Sequence, residues 1–348
     1  MFDCCVSFHS SFPPILLLMP HVLYRSVLVG RNRNAFCVVR PPGHHAGING
    51  LLEGGESCGF CIFNNVAAGA LYAISEDRLL CKRCAIVDID VHHGNGTEEI
   101  VRKCQDPSKL FFFSIHLYDN DKRKSRSQAQ YKFYPGTGSE DDLALNIINV
   151  PIVPLWKETP AAAAPKKTHN TRHKARSTQS AESAVDSSSE TGTGRGSDNA
   201  SETGGGSTGS ASQRPGNVGQ SGRLAYRQAI QTRLLPALRA FNPDLILISA
   251  GFDAAKGDVG NARHERGGEK VGLDLEPEDY AWTTRKVLEI ADICCHGRVV
   301  SVLEGGYGRT PTANPDGDNR LDRTVFSECA VRHLHAMVDP YDSEKRFH

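Results

Sequence analysis

Five stretches of the chain share one layout, a continuous apolar run that meets polar residues and glycine at once. Ala35-Phe36-Cys37-Val38-Val39 runs into Arg40-Pro41-Pro42-Gly43-His44-His45. Ala85-Ile86-Val87 runs into Asp88-Ile89-Asp90-Val91-His92-His93-Gly94-Asn95-Gly96. Phe111-Phe112-Phe113 runs into Ser114-Ile115-His116, and Leu245-Ile246-Leu247-Ile248-Ser249 into Ala250-Gly251-Phe252-Asp253. Val299-Val300-Ser301-Val302-Leu303 runs into Glu304-Gly305-Gly306-Tyr307. Short runs without polar alternation are the mark of strands buried on both faces of a parallel sheet. In open α/β sheets the site lies beyond the carboxyl ends of the strands. The pattern therefore predicts five strands that deliver His, Asp and Tyr to one edge.

Helical spacing fills the intervals. Residues 67–74 read as a packed helix. Leu224, Ala229, Ile230, Leu234, Leu235, Leu238 and Phe241 place a second over residues 223–241. Pro277-Glu278-Asp279-Tyr280 opens a third that reaches Ile293, and residues 326–338 form a fourth at the C-terminal end. Strands alternating with helices give an α/β fold, a single domain whose central parallel sheet carries helices on both faces.

Residues 157–222 break this pattern. Leu, Ile, Phe, Tyr and Trp are absent from the stretch, so it cannot bury enough apolar surface to offset ordering entropy. It reads as a disordered low-complexity insertion between two halves of one domain, residues 35–156 and 223–340, with residues 341–348 as a tail. Lys166, Lys167 and the basic run at 172–176 fit either a nuclear-import signal or a solvated charge run.

Charge and cysteine content narrow the class. Forty Lys and Arg balance forty Asp and Glu, which argues against a dedicated nucleic-acid binder. The 11 cysteines are odd in number and carry no secretory pattern, so reduced thiols are expected. The apolar stretch at 13–19 is too short to span a bilayer, and no membrane association is expected. Cys58-x-x-Cys61 and Cys81-x-x-Cys84 imitate a zinc-ribbon template, but the stretch between them reads as a packed helix.

The polar ends of the strands carry the chemistry. On an extended strand Asp88, Asp90 and His92 share one face, because side chains repeat every second residue. A buried strand that ends in Asp-x-His offers two ligands for a divalent metal. The same residues also describe an ordinary polar turn. Asp253 directly follows another strand, as a third ligand or a turn residue.

Arg40-Pro-Pro-Gly-His-His-Ala46, Gly59-Phe-Cys-Ile-Phe-Asn-Asn65, Asp88 to Gly96, Ser249-Ala-Gly-Phe-Asp253 and Glu304-Gly-Gly-Tyr307 resemble, in order, the zinc-dependent histone deacetylase family of the arginase/deacetylase superfamily. Asn95, where other members have Asp, gives the resemblance a class II character. It implies one zinc held by Asp90, His92 and Asp253, with a position left open for water or substrate. Zinc would polarise an amide carbonyl and acidify the attacking water. His45 would take the water proton with His44 beside it. Asp88 would orient His44, and Asn95 would accept from His45. Tyr307 would donate to the developing oxyanion. Phe60 and Tyr134 would line a tube for the lysine methylenes, although both also suit core packing. The Gly59 carbonyl would accept the substrate amide N–H. Oxygens of Asp88, Asp90, His92, Ser114 and Ile115 match a structural potassium site.

The implied reaction is hydrolysis of acetyl-lysine amides in histones or other proteins, in the nucleus or cytoplasm, with a corepressor complex as a further partner. Three rivals remain. A two-manganese ureohydrolase needs more carboxylates than Gly94 and Ala255 allow. An acetylpolyamine deacetylase would differ in rim loops such as 259–270. An inactive interaction module or fragment is suggested by the start of the chain. Only 39 residues precede Arg40, and residues 1–34 read as a divergent or truncated segment.

Overall fold

All five apolar runs fold as strands, and they are contiguous in one sheet. In chain order the strands are β1 (Cys4–Phe8), β2 (Asn34–Val38), β3 (Cys84–Asp88), β4 (Leu110–Leu117), β5 (Ile147–Ile152), β6 (Leu245–Ala250) and β7 (Val299–Leu303). The sheet order is β1-β2-β7-β6-β3-β4-β5, and every pairing is parallel. The five motif strands β2, β7, β6, β3 and β4 thus lie side by side, and their polar ends share one edge. Asp88 is in register with Ser114 on one side and Ser249 on the other.

This computed structural model describes residues 4–8, 22–50, 58–75, 81–119, 133–157, 222–261, 271–310 and 320–342. They belong to one compact unit, Met1–Glu158 with Asn217–His348. The expected insertion at 157–222, apart from its end residues, lies outside the described residues, as do residues 262–270 and 343–348.

Helices cover both faces. They are α1 (residues 22–28), α2 (Asn65–Ser75), α3 (Asn95–Arg102), α4 (Gly222–Ala229), α5 (Leu235–Phe241), α6 (Pro277–Cys295) and α7 (Thr324–Val338). The alternation within β4 shows how the core divides. Phe111, Phe113, Ile115 and Leu117 pack into a cluster with Tyr226, Leu238, Leu288 and Met337. Leu110 and Phe112 pack on the opposite face with Leu23, Tyr24, Val66 and Ala70. Burying each such aromatic contributes roughly 1.5–3 kcal/mol. Among the described residues no helix is long and apolar enough to cross a membrane.

Three features depart from the sequence reading. The single helix expected over 223–241 is broken by a π turn, Ile230–Leu234. Pro236 supplies no N–H and stands at the start of α5, so the wider turn absorbs the missing bond. Strand β5 went unread because Pro151 interrupts it, and an edge strand tolerates that proline. The first 34 residues, unlike the family region by sequence, contain the edge strand β1 and the helix α1.

Candidate metal centre

Strand β3 stops at Asp88, so Asp90 and His92 do not sit on a pleated strand as their spacing predicts. A different device keeps the two-residue step. Asp88 Oδ1 accepts from the Asp90 N–H at 3.1 Å, and Asp90 Oδ1 accepts from the His92 N–H at 2.8 Å. These two successive turns, closed by aspartate side chains, return each functional side chain to the edge. Asp253 arrives from the end of β6, and its Oδ1 accepts from the Val91 N–H at 3.1 Å.

The three groups converge. His92 Nδ1 lies 3.1 Å from Asp90 Oδ1 and 3.1 Å from Asp253 Oδ2, and one ligand atom from each residue falls within 4.8 Å of the others. Both carboxylates are buried, and neither pairs with a lysine or arginine among the described residues. Two buried carboxylates against one imidazole form a donor set that a divalent cation satisfies. The backbone leaves room for nothing larger nearby. A Cβ built on Gly305 would sit 2.2 Å from Asp253 Oδ2 and 2.5 Å from Asp90 Oδ2.

Two buried histidines stand beside this group, their ring centroids 4.0 Å apart, and their partners differ. His44 donates from Nδ1 to Asp88 Oδ2 at 2.9 Å, and its Nε2 lies 3.8 Å from Asp90 Oδ1. Burial opposes its charge, yet Asp88 and Asp90 hold its pKa well above the ordinary imidazole value. His45 donates from Nδ1 to Asn95 Oδ1 at 2.7 Å. Burial, then the neighbouring His44 and His92, pull its pKa well below the ordinary value. The two shifts run in opposite directions, favouring the cation at His44 and the neutral ring at His45. The Asn95 bond fixes the neutral tautomer with its proton on Nδ1, which leaves Nε2 as a base.

Tyr307 closes the site from the end of β7. Burial, then Asp253 and Asp90, raise its pKa far beyond the usual phenol range, so the hydroxyl remains a donor. Phe60 is 79% exposed, lies 6.3 Å from the Tyr307 ring, and has φ of 66°. A bulky residue in that region costs on the order of 1–2 kcal/mol and marks a constrained position. Tyr134 lies edge-on to His45 at 4.9 Å. Gly59, whose carbonyl was expected to meet the substrate amide, precedes Phe60 at φ of 54°.

Three contributors escaped the sequence reading. Glu304 is buried, and its carboxylate accepts from the N–H groups of Gly43 at 2.6 Å and His44 at 3.1 Å and from the Ser249 hydroxyl at 3.2 Å. It anchors the turn that presents both histidines. Phe133 stacks on His92 at 4.9 Å with planes 5° apart. Asp258 bonds the segment that carries Tyr307. Only Glu304 lay within a recognised motif, and nothing in that motif shows which backbone groups it meets.

Residues 21–315 match the family model described as the histone deacetylase domain. The chain belongs to the histone deacetylase family. Type-2 histone deacetylase 2 of Dictyostelium discoideum is 33% identical over 318 residues, covering 89% of this chain and 13% of that protein. Histone deacetylase 15 of Arabidopsis thaliana is 29% identical, covering 82% and 34%, and human histone deacetylase 9 is 30% identical, covering 83% and 20%. The chain therefore spans about a third or less of the length of these relatives. A crystal structure of the HDA15 HD domain shares the fold, with a TM-score of 0.55, 25% identity and coverage of 94% of this chain and 62% of that one. The fold and the class II-type relatives agree with the resemblance drawn from the motifs.

Within this deacetylase fold the rival metal arrangements lose support. A Cβ on Gly94 would lie 2.1 Å from Asp88 Oδ2, so no second acidic ligand fits there. Two of the side chains expected at a potassium site, Asp88 and Ser114, make protein hydrogen bonds. Asp88 bonds His44 and the Asp90 N–H, and the Ser114 hydroxyl bonds His116 Nδ1 at 2.9 Å. The two Cys-x-x-Cys pairs face opposite ends of the sheet. Cys61 accepts from the His45 N–H at the active edge, whereas Cys84 begins β3 at the far edge. They cannot share one ion.

The candidate ligands also predict a pH dependence. Burial disfavours the charged form of His92, but Asp253 and Asp90 hold its pKa up at about 9. A divalent ion must displace that proton from the same nitrogen. Zinc uptake should release a proton below about pH 9, and affinity should fall about tenfold per unit as the pH drops. Competition with a chromophoric chelator at pH 6 and pH 8 measures this, and equal affinities would remove His92 from the ligand set.

Proposed function

We propose that the chain is a zinc-dependent amidohydrolase that cleaves the acetyl group from lysine side chains of histones or other proteins. The products are acetate and free lysine. Family membership supports the reaction class. The observation that carries the chemistry is the opposite perturbation of His44 and His45 beside Asp90, His92 and Asp253.

Asp90, His92 and Asp253 would hold the zinc, which when bound supplies Lewis acidity toward the amide carbonyl. Neutral His45 takes the proton of the attacking water at Nε2 and returns it to the departing amine nitrogen. His44, kept cationic by Asp88, offsets the negative charge that builds during attack. The Tyr307 hydroxyl donates to the developing oxyanion. Phe60 and Tyr134 flank the entry and suit the apolar methylenes of a lysine side chain. Acetylated histone tails and a corepressor complex are the proposed partners, in the nucleus or cytoplasm.

Zinc content and turnover of an acetyl-lysine peptide by the purified chain test this reading. Tyr307→Phe keeps the ring and removes only the donor. It should lower kcat by about 10²–10³-fold, the scale of a lost oxyanion donor, with zinc content unchanged. An unaltered kcat would remove Tyr307 from the mechanism.

A further inference from the structure

Tyr307 sits in a segment with little stiffness of its own. Gly306 has φ of 116° and Gly308 has φ of 105°, so the tyrosine is flanked by two residues whose backbone conformation favours glycine and gains no stiffness from a side chain. A donor that has to meet a developing charge needs a fixed position, because a misplacement of about 1 Å can cost 10²-fold in rate. Something outside the segment must fix it.

One buried carboxylate meets this need. Asp258 lies in the loop after β6, five positions beyond the ligand Asp253. Its Oδ2 accepts from the Tyr307 N–H at 2.9 Å and the Gly308 N–H at 2.6 Å. Its Oδ1 accepts from the Gly260 N–H at 2.8 Å. Gly260 in turn fills the space between the metal ligand and the phenol ring. A Cβ built there would lie 2.7 Å from Asp253 Cβ and 3.1 Å from Tyr307 Cε2. The Val259 N–H donates to the Gly308 carbonyl at 2.9 Å and closes the same junction. A single side chain therefore binds the backbone of the tyrosine and the glycine packed against its ring.

We propose that Asp258 is a positioning residue for Tyr307, holding the phenol at a fixed distance from the metal ligands by fastening its backbone. Asp258 touches no reacting atom and acts only through the tyrosine. This role rests on the reading of Tyr307 as the oxyanion donor.

The test uses the zinc-loaded full chain and Asp258→Ala, which removes both acceptor oxygens from the backbone N–H groups. Amide hydrogen exchange across residues 304–310 should quicken by at least about tenfold, since the exchanging N–H groups lose their acceptor. The kcat on an acetyl-lysine peptide should fall by roughly 10–100-fold, with KM and zinc content unchanged. In a Tyr307→Phe background the same substitution should cost less than about threefold, because its effect passes through the missing hydroxyl. Unchanged exchange overturns the proposal, and so does a kcat loss of equal size in both backgrounds, or loss of zinc. If Asp258→Ala does not fold, Asp258→Ser answers the same questions. If Tyr307→Phe itself costs nothing, the donor assignment fails and the positioning role falls with it. If the wild type shows no turnover, the functional reading fails alone and amide exchange still decides whether Asp258 holds the segment.

Discussion

Asp253→Ala should give a folded chain that retains essentially no zinc and shows no measurable turnover. Asp253 contributes one of three converging ligand atoms, and two ligands do not hold zinc against solvent competition. The substitution also frees the Val91 N–H, a loss on the order of 1–3 kcal/mol. It simultaneously removes one of two buried carboxylates that repel each other, and burial with Asp90 raises the Asp253 pKa for this reason. These effects oppose one another, so the thermal midpoint without metal should change little. The diagnostic quantity is the metal-dependent increment. Zinc at a thousandfold excess over its dissociation constant should stabilise the wild type by about 4 kcal/mol and leave Asp253→Ala unmoved. Two metal ions per chain by elemental analysis, or full activity after chelation, would contradict the single-metal assignment.

The fold was legible where its strands are buried twice over. Such strands have no polar face, so β2, β3, β4, β6 and β7 read directly as apolar runs with polar ends. Edge strands lack that signature. β5 contains Asn149 and Pro151, and β1 spans only Cys4–Phe8. The π turn at Ile230–Leu234 was not legible, since helical spacing survives one wide turn almost unchanged. At the site, the candidate ligands Asp90, His92 and Asp253 could be picked out from their own chemistry, and the structure brings them together. Glu304 and Asp258 could not, because both act by accepting backbone N–H groups from distant segments. A sequence names the carboxylate but not the peptide groups that the fold brings to it. The alternation read across Asp88, Asp90 and His92 gave the correct spacing from the wrong structure, with side-chain-closed turns replacing a pleat.

The two histidines carry the second large effect. His45→Ala should lower kcat by about 10²–10⁴-fold, the usual contribution of a general base, while zinc content stays at the wild-type level because His45 is no ligand. The pH profile separates the roles of the pair. Burial with His44 and His92 holds the His45 pKa well below the ordinary value, so the base stays unprotonated in mildly acidic solution. The acid limb of kcat should therefore lie below the ordinary imidazole range. Asp88 and Asp90 hold the His44 pKa well above that range against burial, so its charge persists into alkaline solution. Asp88→Asn removes one of the carboxylates that favour the cation. The His44 pKa must then fall, and the basic limb of kcat should move to lower pH, while the acid limb holds its place wherever His44 is still protonated and rises where the His44 charge is weakened, because that charge is one of the causes that lower the His45 pKa. A basic limb unmoved by Asp88→Asn would show that the charge on His44 is not what the reaction uses. An acid limb abolished by His44→Ala but intact in His45→Ala would exchange the two assignments.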